Sequence, residues 1–509
     1  MPSRMRPRGP PCHGAGGMPV CRNQTAPFAS SSARRDDDLV HVKDYNGRKY
    51  NYQQHNLDRW LKRESEQNRP PPVLQRSATE QESWEYRTAR KHGLLLPVKS
   101  DSSSGDQEVD NRTPEEVKLA EALGAVAKAQ PDDHVFATIG DETHTHIGAG
   151  SRGVVFAGKD NSYIVKIHTK GFATIQNEAH KLGIIFDTLA KYPSSRIRVP
   201  RFWVLLLLDE EAMNVAVPEQ YKWYCDFPTG AMKTDRILPL RKDIRDGLIQ
   251  AYALPKMRND TSRNRRNVDC LIHLYLGNCS SGPGPISGLR DFKMNLTMME
   301  KLRLPFEEYA NSMGQALAAI HWYGGLDARG IKFVLGTAHI VPPERLGDIP
   351  NDWEQIRRDL KERNGPCFLR TDMFCLDCDL VEQLCNCGEV CDCNNRKWVD
   401  KVVEAFKASP PYFPRPNSAN PAASLAWNAF VMGYLESTRK VGAEEPEAVE
   451  FAVQFLERVM RECTPCTPDD VMKDDSNPGE DYYWPGDQPE APSVEKGDDS
   501  SNGEDQLDQ

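Results

Sequence analysis

The chain has 509 residues, 39% of them apolar and 27% charged, with a formal charge of −10 and a mean hydropathy of −0.63. A chain of this length has room for two or three ordinary domains, but hydropathy this low excludes a packed core running through all of it. The charge is uneven as well: residues 469–509 hold 14 Asp or Glu and two Lys, a net of −12, which leaves the remainder near +2 and excludes a strongly acidic or basic body.

The first 35 residues carry six Arg and no acid and are broken up by Pro, Gly and Ser, which spoil the amphipathic helix of a mitochondrial leader. Residues 40–132 stay polar, and the spacing of Leu119, Leu123 and Val126 predicts one helix over 115–129. Residues 1–132 therefore read as a mostly disordered arm with that single helix. Residues 133–235 read as a β-rich lobe. Within it, apolar runs at 154–157 and 162–168 are split by a turn at 158–161, a hairpin signal. Helical spacing follows over 172–191 (Ile175, Ala179, Leu182, Ile185, Leu189), then a buried strand over 198–208.

Helices dominate residues 236–465. They are expected over 306–322, with Tyr309, Met313, Ala316, Leu317 and Ile320 on one face, and over 398–408, 421–438 and 446–461. Loop insertions interrupt this part, including a basic one over 256–266. Residues 466–509 are too polar and acidic to fold and read as a disordered tail. The longest bulky apolar run, 202–208, falls far short of the ~20 residues of a membrane helix. No secretory signal opens the chain, so the expectation is a soluble intracellular protein, cytoplasmic or nuclear, whose 14 Cys are thiols or metal ligands. The basic segments lack interleaved aromatic residues, and nucleic-acid binding is not expected.

Chemistry is suggested first by Gly148-Ala149-Gly150-Ser151-Arg152-Gly153. Glycines at this spacing between strands let the backbone lie close over phosphates, although the pattern alone also fits a plain turn. Lys166 lies in the next apolar strand, where a charge needs a partner, and Glu178 on the following helix is a candidate. Asp327 follows the helix that ends in His321-Trp322, and Asp377 closes an apolar strand-like segment.

In this order the four features resemble the protein-kinase superfamily. There a strand Lys pairs with a helix Glu and with phosphates, one Asp accepts the substrate proton, and an Asn five residues later and a second Asp hold metal. The resemblance implies a two-lobed α+β kinase-like fold, with a small β-rich lobe and a larger helical lobe. Gly148, Gly150, Gly153 and Lys166 would hold the phosphates of ATP, Glu178 would orient Lys166, Asp377 would hold Mg²⁺ and Asp327 would be a residual base. The pattern is eroded. Position 332 is Lys, which has no acceptor with which to bind Mg²⁺, and Cys378-Asp379 replace the usual Phe-Gly.

More specific words resemble a fungal family of unknown function, some of whose members are labelled zinc-finger proteins. They are the segments 269–277, 289–292 and 316–322, Phe333-Val334-Leu335-Gly336 and Pro411-Tyr412-Phe413-Pro414-Arg415-Pro416. That family reads Asp-Ala-Xaa-Asp-Val-Glu where this chain has Asp327-Ala328-Arg329-Gly330-Ile331-Lys332, so two carboxylates are missing here.

Cysteine is the remaining signal. The C-x2-C pairs Cys375/Cys378 and Cys463/Cys466 could together hold one tetrahedral Zn²⁺, and Cys385, Cys387, Cys391 and Cys393 offer a second arrangement. Against the first, Cys375 lies on a predicted strand and the side chains of strands alternate between faces. Three functions follow: a degraded kinase-like module (a pseudokinase) that binds nucleotide or scaffolds protein partners; an active phosphotransferase; or an interaction protein, zinc-stapled or metal-free. The loss of the metal-binding Asn argues against an active kinase.

Overall fold

The computed structural model describes residues 83–98, 110–128, 144–150, 153–158, 163–194, 196–208, 229–280, 286, 288–290, 292–340, 368–385, 396–417, 419–443 and 447–463. The elements in chain order begin with helix α1 (Trp84–Lys91), helix α2 (Pro114–Gly124) and the short strand β1 (Ala127–Lys128). Strands β2 (His144–Gly150), β3 (Gly153–Gly158) and β4 (Tyr163–His168) follow. Then come α3 (Gly171–Lys191), β5 (Ile197–Arg198), β6 (Phe202–Leu208) and β7 (Thr229–Asp235). Next are α4 (Lys242–Tyr252), α5 (Arg258–Arg263), β8 (Ile272–Tyr275), β9 (Phe292–Asn295) and α6 (Leu296–Lys301). The remainder is α7 (Phe306–Trp322), β10 (Lys332–Ile340), β11 (Phe368–Leu376), α8 (Arg396–Ala408), α9 (Pro421–Val441) and α10 (Ala448–Glu462). This is a mixed α+β fold.

Two sheets organise it. One is antiparallel throughout, in the order β2-β3-β4-β7-β6. The other runs β1-β11-β10-β8-β9, with β5 added in parallel to β11. Helix α3 packs against the first sheet at Gly230, where a Cβ would come within 2.6 Å of Ile175 and 2.8 Å of Phe172. The far end of α3 rests on α7: Lys191 Nζ donates to the Tyr323 hydroxyl at 3.1 Å, and the Tyr192 and Tyr323 rings meet edge to face at 4.9 Å. Thus α3 ties the first sheet to the helical body.

That body centres on the crossing of α7 and α9. The apolar face read from sequence on α7 is buried as expected, including Met313, Ala316, Leu317 and Ile320, and α9 buries Trp427, Phe430 and Tyr434. The helices touch through glycine. A Cβ on Gly314 would collide with the Phe430 carbonyl oxygen, and one on Gly433 with that of Asn311. Both positions need the missing side chain for backbone-to-backbone approach.

Several expectations need correction. Helix α2 starts from a capping box, with the Thr113 hydroxyl accepting from the Glu116 N–H and the Glu116 carboxylate accepting from that of Thr113. It ends at Gly124 rather than 129, because the chain turns extended at Ala125 and Ala127–Lys128 pair with β11. Val126, placed on the helical stripe, is exposed. Residues 83–98, assigned to a disordered arm, are built onto the body. Trp427 Nε1 donates to the Leu94 carbonyl at 3.0 Å, and Asn428 exchanges hydrogen bonds with both backbone groups of Leu96. The buried strand expected over 198–208 breaks at Pro200 into β5 and β6. β6 lies at a sheet edge, with Val204, Leu206 and Leu207 exposed. The two terminal tails and the Cys367, Cys387, Cys391, Cys393 and Cys466 positions lie outside the described residues. No helix among the described residues is long and apolar enough to cross a membrane.

The α7–α9 crossing yields a test. Gly→Ala in a helix interior ordinarily stabilises by about 0.5–1 kcal/mol, but here overpacking against backbone outweighs that. Gly314→Ala and Gly433→Ala are each expected to lose about 1–3 kcal/mol in urea unfolding. An unchanged or raised midpoint in both would contradict the close crossing.

Candidate functional site

Lys166 and Glu178 meet because β4 and α3 are consecutive and packed together. Their side chains form an ion pair of 2.6 Å. Lys166 sits opposite Val155 in the β3–β4 register, and its stem runs beneath the glycine hairpin: Lys166 Cε lies 3.5 Å from where a Gly153 Cβ would be. That Cβ would also approach the Ile167 carbonyl oxygen to 2.6 Å, so position 153 requires glycine. Gly148 and Gly150 lie on β2, with Gly150 directly across from Gly153. Gly148 has ordinary room for a Cβ, its nearest neighbour being Arg290 Nη2 at 3.7 Å. Residues 151 and 152 lie outside the described residues.

A second ion pair joins this one from the other sheet. Lys332 opens β10 directly across from Leu376 of β11, so its side chain reaches Asp377 just past the strand end, with Nζ 2.8 Å from Oδ2. Asp377 is one of three non-glycine residues with positive φ among the described residues, at +68°, a costly conformation that tends to mark functional or tightly determined sites. Asp379 adds a second acidic side chain beside Asp377.

These charges act on one another. Burial disfavours the Lys166 ammonium, but the carboxylates of Glu178, Asp377 and Asp379 outweigh it and hold the Lys166 pKa above its ordinary value. Burial pushes the Asp377 carboxyl up, and Lys332 and Lys166 together bring it net below the usual range. Burial also raises Glu178, partly opposed by Lys166. Glu178 is 5% exposed, and its Oε2 has no hydrogen-bond partner among the described residues. Lys166, Glu178, Lys332, Asp377 and Asp379 thus form one cluster where the two sheets meet.

Asp327 has other partners. Its Oδ1 accepts from the Glu382 N–H at 2.8 Å and the Arg329 N–H at 3.1 Å, and its own N–H donates to the Glu382 carbonyl. It is 6% exposed, and burial raises its pKa. Its neighbours Ala328 and Gly330 hold φ of +57° and +76°, a tight turn that Asp327 braces. His321 supports the same turn: its ring contacts the Asp327 backbone, and its Nδ1 lies 2.8 Å from the Tyr434 hydroxyl. Asp327 Oδ1 is thus committed to bracing this turn.

Of the four cysteines in the C-x2-C reading, Cys375, Cys378 and Cys463 are described and Cys466 lies outside the described residues. Cys375 and Cys378 are buried thiols; burial raises Cys375 to about 12 and Cys378 well above its ordinary value. The charges acting on Cys378 are those of Glu178, Asp377 and Lys166. Cys463 instead lies beside Arg415, Lys407 and Glu462, with Arg415 Nη1 donating to its Sγ at 3.6 Å. No group of three or more His, Cys, Asp or Glu that could hold a metal ion occurs among the described residues.

The Pro411–Pro416 word has a packing role. Leu276 and Gly277 N–H donate to the carbonyls of Tyr412 and Pro411, and Arg415 Nη2 donates to those of Phe406 and Ser409 while its guanidinium covers the Phe406 ring. Sequence reasoning identified Lys166, Glu178 and Asp377. It missed the pairing of Lys332 with Asp377, the part played by Asp379, and the approach of Arg290 to Gly148. The only signal for the first was a lysine where a metal-binding side chain was expected.

A family model described as DUF3669, zinc finger protein, matches residues 373–446. No curated protein and no solved structure matches. The matched stretch runs from within β11 through Asp377 and the 411–416 word to just beyond α9, so it carries one arm of the charge cluster.

His321 provides a pH test. Burial lowers its pKa from 6.5 to about 3, with the Asp327 backbone working the other way. A depressed folded pKa means full stability above the unfolded pKa and progressive loss as pH falls towards 3, at about 1.4 kcal/mol per unit. The stability of the wild type relative to His321→Gln should therefore fall by roughly that slope between pH 6 and 4. A pH-independent difference would contradict a neutral buried ring.

Proposed function

We propose that this charge cluster binds the phosphates of a nucleotide such as ATP and that the chain is a kinase-like module that does not transfer a phosphoryl group. The observation that carries the reading is the 2.6 Å pair of Lys166 and Glu178 beneath Gly153, within the field of Asp377. In protein kinases the strand Lys and helix Glu are paired in this way beneath a glycine-rich loop. Further support comes from the order of the first sheet, where Lys166 lies on the third of the strands β2, β3 and β4 and α3 follows at once. Here Lys166 would contact the phosphates, Glu178 would orient it, and the backbone at Gly148, Gly150 and Gly153 would form the roof.

Phosphoryl transfer needs a base open to the substrate hydroxyl and a cation at the second Asp. Asp327 Oδ1 is held by its turn and Lys332 already sits on Asp377, which favours binding without turnover. A scaffolding role is the second reading, favoured by β6. It ends the first sheet and exposes Val204, Leu206 and Leu207, as a strand that receives a partner would.

Thermal unfolding with millimolar ATP tests the main reading. A ligand at 100 times its Kd stabilises by about 2.7 kcal/mol, so the wild-type Tm should rise by several degrees and that of Lys166→Met should not. No shift in the wild type, with or without Mg²⁺, or an equal shift in Lys166→Met, would overturn it.

A further inference from the structure

Mg²⁺ is the ion that a kinase-like site implies, and the residues here do not fit it. The ion takes oxygen ligands in a near-ideal octahedron and gives up water reluctantly. In the kinase arrangement its protein ligands are the second Asp and the Asn five residues after the first, which correspond to Asp377 and position 332. Lys332 has three N–H donors and no acceptor, so it cannot be a ligand. Its ammonium is also 2.8 Å from Asp377 Oδ2, so a divalent ion at that oxygen would sit against a positive charge.

The same substitution supplies what it takes away. The cluster holds three carboxylates, Glu178, Asp377 and Asp379, against Lys166 and Lys332. A neutral residue at 332 would remove one of the two lysine cations that face these acids and the phosphates. The Arg290 guanidinium near Gly148 adds a third cation on the roof side. Lys332 is 32% exposed and Lys166 16%, so neither side chain is sealed off, and each remains anchored to a carboxylate.

We propose that Lys332 is a built-in cation standing in place of Mg²⁺, and that the charge cluster binds the polyphosphate of a nucleotide without a divalent metal. The inference rests on the nucleotide reading above and specifies its chemistry. The ligand is a metal-free nucleoside polyphosphate, its anionic oxygens accepting from Lys166 and Lys332. A metal complex of the same nucleotide gains nothing here, because the metal's own site on the protein is taken.

Calorimetric titration of ATP into the full chain, in EDTA and in excess Mg²⁺, provides the test. Wild type should bind in both buffers with Kd values within about threefold. Lys332→Asn should lose at least about tenfold in EDTA and recover in Mg²⁺, since the neutral amide reopens Asp377 and offers an oxygen ligand. Lys332→Arg should keep metal-free binding, and it carries the comparison if Lys332→Asn does not fold. Wild type that binds only with Mg²⁺ would overturn the inference and leave the nucleotide reading intact. Folded wild type that binds in neither buffer would overturn both. Lys332→Asn that matches wild type in EDTA would remove Lys332 from the site.

Discussion

A lysine ammonium removed from water survives as a charge only if carboxylates surround it, and Lys166 is placed under that constraint. Isolated, a buried charge costs several kcal/mol; paired with Glu178 at 2.6 Å and facing Asp377 and Asp379, it stays protonated. Asp377 in turn is held below the usual carboxylate range by Lys332 and Lys166, against its burial. The five groups come from β4, α3, the start of β10 and the segment after β11, so the cluster holds only while both sheets keep their register. Such a network stabilises poorly for its cost, which is the physical reason for reading it as a binding site rather than as a staple.

The helical body holds the second half of the cluster in place. Glycine contacts let α7 and α9 cross backbone to backbone, and this fixes the end of α7. From there His321 reaches the Asp327 turn, whose positive-φ residues redirect the chain into β10 so that Lys332 is its first residue. Asp377 adopts a positive φ at the opposite strand end. Both strained turns therefore aim their neighbouring side chains at one point.

Local features were legible in the sequence. Lys166 and Glu178 sit on consecutive elements, so a charge in an apolar strand and an acid one helix later sufficed to pair them. The helices over 306–322 and 421–438 could be read from spacing alone. The Lys332–Asp377 pair could not, because residues 341–367 separate β10 from β11 and nothing local marks the two strands as partners. Residues 83–98 were misread for a related reason. Their composition is polar, and they are held by backbone bonds to Trp427 and Asn428, more than 300 positions away. The cysteine spacing left the thiols' surroundings open: Cys375 and Cys378 are buried thiols, while Cys463 lies beside Arg415, Lys407 and Glu462.

The central claim is that Lys332 and Asp377 belong to one charge system with Lys166. A double-mutant cycle on unfolding free energy, combining Lys332→Ala with Asp377→Ala, measures that directly. A coupling of about 1 kcal/mol or more, in the range seen for groups that share a network, is the expected result, because removing either partner leaves the other uncompensated. Additivity to within about 0.5 kcal/mol would mean that the two side chains do not interact, and the account of the cluster would fail with it.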